Sequence, residues 1–182
     1  MAESASSVLT PWSNFYIMTG SAAASLTGLM FVVITLVTGV ERLRRAPDGI
    51  SAFSTPTVVH FGTVLLVSAI LSAPWRSLAY PATVLGIAGL CGIAYLSRVT
   101  FLAGRLRAYK PDLEDWTWYM FLPFVAYGTV LASAIVLFAF PVQALFVLAA
   151  GVALLTFIGI RNAWDIVTFI AIGDHDEPPK PP

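Results

Sequence analysis

His60, Arg98 and the pair Arg161 and Asp165 are the residues of this chain whose types and positions invite chemistry. His60 lies within the apolar run TVVHFGTVLLVSAILSA. A neutral imidazole there can relay protons or gate near neutral pH. The plainer reading is a histidine hydrogen-bonded between helices. Arg98 lies within ATVLGIAGLCGIAYLSRVTFL. A guanidinium in such a run needs partners or must snorkel to the headgroups, as an interfacial anchor does. Glu41 and Asp165 are the counter-ions offered to it. Arg161 and Asp165 stand four residues apart, which places them on one face of a helical turn. Asn162 and Thr168 extend that polar surface, while Ile160, Trp164, Val167 and Ala171 form an apolar one. Ionisable groups at membrane depth are functional candidates by default. The plainer reading of Arg161 and Asp165 is a surface ion pair worth about 0.3–0.5 kcal/mol.

Other chemistry finds no support. The chain has no HExxH, GxSxG, Walker loop or CxxC. His175 sits in Asp174-His175-Asp176-Glu177, on a tail whose ordering entropy opposes tight metal binding. Cys91, the single cysteine, lies mid-span among apolar residues and is expected to be an inert packing residue. The reading is therefore of a chain that is no enzyme and has no catalytic residues, no cofactor and no metal. Ten Lys+Arg balance ten Asp+Glu, so no global field recruits nucleic acid.

The elements that hold these residues follow from composition. Hydrophobic residues make up 58% of the 182 and charged residues 11%, against about 25% charged in a soluble domain. Too few charges remain to cover a water-facing surface. A bilayer core of about 30 Å needs about 20 apolar residues as helix. Five runs qualify, at residues 15–40, 57–73, 82–102, 120–140 and 142–160, with the last helix able to continue to 172. The fold class is all-α, a polytopic transmembrane bundle of five spans. Residues 1–14 form an outer segment that lacks the basic start of a cleavable signal peptide. Ser54, Thr55 and Pro56 are expected to open the second span, and Asp112 and Asp115 to cap the helix leading into the fourth. Pro123 predicts a kink, Pro141 a very short turn between antiparallel neighbours. Residues 173–182, polar and proline-rich, are expected to be disordered.

Lys and Arg in the connecting segments set the direction. Five spans leave Arg76 alone on one side. The other side holds Arg42, Arg44, Arg45, Arg105, Arg107, Lys110, Arg161 and Lys180. The N-terminus is expected outside and the C-terminus in the cytoplasm. Trp12 and Trp75 then fall at outer ends, and Trp116, Trp118 and Trp164 at inner ends, where interfacial belts form.

Gly20, Ala24 and Gly28 recur every four residues in the first span, with Ser21 and Ser25 beside them. Such a face lets backbones approach closely. It packs against the chain's own spans, or it lines a pore or a subunit contact. Looser versions are Ala82, Gly86, Gly89 and Gly92 in the third span, and Gly128 and Ala132 in the fourth. The phrase GSAAASLTGLMFVVITL, residues 20–36, resembles the first span of many small, uncharacterised bacterial membrane proteins, some of them labelled protease modulators. The resemblance implies residence in a bacterial inner membrane and assigns no functional residue. The functional reading leans to a homo-oligomeric channel or pore subunit in the lipid bilayer. A non-catalytic accessory subunit, bound to another membrane protein, is the alternative.

Overall fold

In lipid, a backbone has no hydrogen-bond partner but the protein itself, and each long apolar run answers with a helix. The computed structural model describes residues 5–38, 47–103 and 113–173, and among them there is no strand. Helix α1 (Ala5–Leu9) passes through a 3₁₀ turn (Thr10–Trp12) into α2 (Ser13–Thr38). Then come α3 (Pro47–Ser72), α4 (Ala79–Ala103) and the short α5 (Leu113–Trp116). A π-helical turn (Thr117–Phe121) leads from α5 into α6 (Leu122–Val136), and α7 (Pro141–Gly173) follows. Five stretches are long and apolar enough to cross a membrane: Ala5–Thr35, Thr55–Ser72, Ala79–Leu102, Thr117–Val136 and Pro141–Thr168. This is the five-span helical bundle expected from hydropathy, and the chain is a multi-pass membrane protein.

Several boundaries differ from the expected ones. The first span is helical from Ala5, inside the segment 1–14 set apart above, and Val8 and Leu9 are buried there. Helix α3 starts at Pro47, so Pro56 lies inside a helix rather than at its opening. Proline suits the first helical turn, and Pro47 takes that place. A second proline within a membrane helix is tolerated where neighbouring groups satisfy the freed carbonyl. Ahead of Pro123, where the sequence predicts a kink, stands the π turn, in which Leu122 N–H reaches back to the Thr117 carbonyl. The wider turn relieves the clash that a proline ring makes with the carbonyl four residues before it. Residues 161–172 continue the last span as one helix of 33 residues. That is about 50 Å of helix against a core of about 30 Å, so its last turns leave the hydrocarbon. Glu41, the arginines at 42, 44, 45, 105 and 107, Lys110, Asp112, His175 and the tail lie outside the described residues.

The principal contacts pair α2 with α3, α3 with α7, α7 with α6, and α6 with α4. Helices α6 and α7, joined by residues 137–140, are the antiparallel neighbours that Pro141 predicts. Val64, Val67, Leu85, Val130, Leu145, Leu148, Val152 and Leu155 are fully or almost fully buried between them. Glycine sets the α4–α6 distance. A Cβ on Gly89 would lie 2.9 Å from the Leu131 backbone nitrogen, and one on Gly92 would enter the Tyr127 ring. Gly128, by contrast, has open space beside it, and Ala132 is exposed.

Trp12 meets Phe146 edge-on, and Trp75 lines a cleft of about 580 Å³ with Leu9, Leu71 and Arg76. The opposite end carries Trp116, Trp118 and Trp164. The tryptophans thus gather at the two ends of the bundle.

Candidate functional site

Helix α3 turns Thr57, His60, Thr63 and Ser68 towards the inside, at spacings of three to five residues. This face is polar at both ends and closed in the middle by Val64 and Val67. His60 is fully buried and faces Tyr127 of α6, which Gly92 of α4 allows to stand where it does. The Tyr127 hydroxyl lies 3.2 Å from His60 Nδ1 and 3.1 Å from Thr63 Oγ1. Thr63 donates its own hydrogen to the Val59 carbonyl at 2.9 Å. One proton arrangement satisfies all four groups. Thr63 Oγ1 accepts from Tyr127, and Tyr127 accepts from a protonated Nδ1 of His60. Nε2 then remains the acceptor nitrogen of the neutral ring. The network assigns this tautomer. His60 is therefore the hydrogen-bonded interhelical histidine of the plainer reading.

A second cluster closes the same end of the bundle. Arg161 of α7 donates to Glu114 of α5 at 2.5 Å, pairs with Asp165 one turn on, and lies over the Trp118 ring at 5.8 Å. The Tyr119 hydroxyl reaches Asp165 at 3.5 Å. The i, i+4 pair seen in the sequence is present, and the π turn and α5 complete it. Asp165 is thereby taken by Arg161 and is no counter-ion to Arg98. Arg98 is exposed on α4 and has no ion pair among the described residues, as an interfacial anchor would. Cys91 is also exposed on α4, so it faces outward instead of packing inside.

Asn162 departs most from expectation. Its neighbours Arg161 and Asp165 lie partly exposed, yet Asn162 is 0% exposed. Neither atom of its amide has a hydrogen-bond partner among the described residues. The 3.6-residue period explains its position. Asn162 falls one turn beyond Ile158 and Gly159, on the buried face of α7. At the far end of the bundle the Tyr16 hydroxyl is likewise buried without a partner among the described residues. Thr19 Oγ1 and Ser68 Oγ lie 3.1 Å apart between α2 and α3.

The small-residue stripe of α2 divides. Gly20 packs inward, where a Cβ would meet Ser68 Cβ at 2.8 Å. Ala24 and Gly28 are turned away from the core, and Gly28 has nothing within 4 Å of a Cβ placed on it. The buried line runs instead through Tyr16, Gly20, Ala23 and Met30, because the 3.6-residue turn carries a four-residue row round the helix.

Tyr127, Thr63, Glu114 and the burial of Asn162 were not singled out from the sequence. Each depends on which helices become neighbours, which a single sequence does not state. Among the described residues no group of three His, Cys, Asp or Glu is placed to hold a metal. Comparison with protein-family models, curated proteins and solved structures finds no match to this chain.

Proposed function

We propose that this protein is a homo-oligomeric channel or pore subunit of a bacterial inner membrane. Its N-terminus lies outside, its C-terminus lies in the cytoplasm, and it carries out no catalytic step. The observation that supports the reading is the outward part of the α2 stripe. Ala24 and Gly28 lie on a side of α2 that the chain leaves largely uncovered, and Ser21 and Ser25 stand beside them. Only 17% of the apolar window of this span is buried, against 50% for the span in α3. Small residues let two backbones approach closely, and serine hydroxyls beside them can hydrogen-bond to a facing helix. A single copy is filled by apolar side chains at mid-depth, so a conduit would run between copies. A hydrophobic constriction gates without any charged ring.

The test is ion flux into vesicles that hold only the purified protein. Flux that disappears in Gly28→Leu, while folding is kept, is the expected result. Absence of flux with either ion sign across pH 5 to 8 would sink the pore. The same apolar filling favours a second reading, an accessory subunit whose α2 face binds another membrane protein. That reading requires a stable partner on purification and no flux.

A further inference from the structure

Asn162 is the one buried side chain in the bundle whose two polar atoms are both without a partner among the described residues. Folded chains seldom leave such a group unpaired. Its surroundings say what can pair with it. Helix α7 crosses α3 at Gly159, where a Cβ would lie 2.5 Å from the Phe61 ring. The two helices are antiparallel, so one turn further along α7 lies opposite the turn of α3 that precedes Phe61. That turn carries His60 and Thr57, both buried. In the other direction, one turn from Asn162, the Tyr119 hydroxyl meets Asp165. Asn162 thus lies about 4.5 Å along the axis from each of Gly159 and Asp165. Thr57 and His60 of α3, and Asp165 of α7 with Tyr119, thus lie within about one helical turn of Asn162 along the axis. Beyond it, towards the Trp75 end, Val64, Val67, Leu148 and Val152 close the bundle.

We propose that the Asn162 amide holds water inside the bundle, and that this water joins the aqueous phase at the Arg161 end to Nε2 of His60. Water is the ligand that fits. A buried water needs two to four polar partners, and the Asn162 amide, Thr57 and His60 are the buried polar side chains on these facing turns. A cation would find Asp165 as the near carboxylate, already paired with Arg161. An anion would find Arg161 already held by Glu114 and Asp165. The amide, with a donor and an acceptor, takes a water on each side. His60 then exchanges protons with one side of the membrane alone, since the apolar layer blocks the other. This water path is independent of a pore between copies and survives its failure.

The test uses the full chain in lipid vesicles. Asparagine occurs at positions 14 and 162 alone, so side-chain amide nitrogens labelled through asparagine give two signals. Magnetisation transferred from water in solid-state NMR should reach Asn162 within about fivefold of the rate for exposed Asn14. A rate slower than that overturns the proposal. Asn162→Leu identifies the signal. A second measurement keeps the amide. In a Cys91→Ser background, Thr57→Cys should react with a charged methanethiosulfonate from the Arg161 side about tenfold faster than Val152→Cys, because thiolate forms only in water. Equal rates, or reaction from the Trp75 side, overturn it.

Discussion

Tyr127 is the side chain on which the buried network turns. Its hydroxyl is the partner of His60 and of Thr63, and Thr63 has a second bond, to the Val59 carbonyl. Tyr127→Phe leaves His60 Nδ1 buried without its partner. The expected cost is about 1–3 kcal/mol, read from thermal unfolding in detergent. Tyr16→Phe is the matched control. Its hydroxyl is buried with no protein partner among the described residues, so its removal should cost less than Tyr127→Phe. A loss of stability in Tyr16→Phe equal to that in Tyr127→Phe would contradict the network. Arg161 is a different case. Its pairs with Glu114 and Asp165 are partly exposed at the end of the bundle. Pairs of that kind contribute about 0.2–1 kcal/mol, so Glu114→Gln should shift unfolding only slightly.

Glycines at helix contacts act on whole elements. Gly89 and Gly92 bring α4 onto α6, against Leu131 and the Tyr127 ring. Gly89→Ala forces the pair apart at a backbone atom and should cost about 1–3 kcal/mol. Gly28→Ala adds its methyl to open space. It should leave one copy unharmed or stabilise α2 by up to about 1 kcal/mol, the helix preference of alanine over glycine. Unfolding curves of the two variants, measured side by side, check this. Equal destabilisation would mean that the α2 face is covered within the chain. Pro123 belongs to the same scale. The π turn ahead of it rotates Trp118 and Tyr119 towards α7, where both meet the Arg161 cluster.

At the level of the whole molecule, direction and assembly are the open physical quantities. Lys and Arg crowd the segments on one side of the five spans. A cysteine at residue 7, which is exposed, should therefore react with an impermeant thiol reagent in intact cells, and one at residue 177 should not. Labelling of both ends would contradict the proposed orientation. In a Cys91→Ser background, Gly28→Cys should form a disulfide between copies in the membrane, if copies meet at the outward α2 face. A Gly28→Cys chain that stays monomeric under oxidation, with the introduced thiol accessible to reagent, would remove the homo-oligomer.

Five spans and their helical state were legible from composition and run length. The bilayer demands those of any chain this apolar, whatever its neighbours. The i, i+4 pairing of Arg161 with Asp165 was legible too, because one helix contains both partners. The partners of His60 were not, nor the division of the α2 stripe, the outward position of Cys91 or the burial of Asn162. Each is decided by which face of a helix meets another helix. Almost every position in these spans is apolar or small, so hydrophobicity marks the depth of a residue in the membrane and leaves the inner face unmarked. Close packing of α3, α6 and α7 made that choice. It placed the amide of Asn162 opposite the turn of α3 that carries Thr57 and His60.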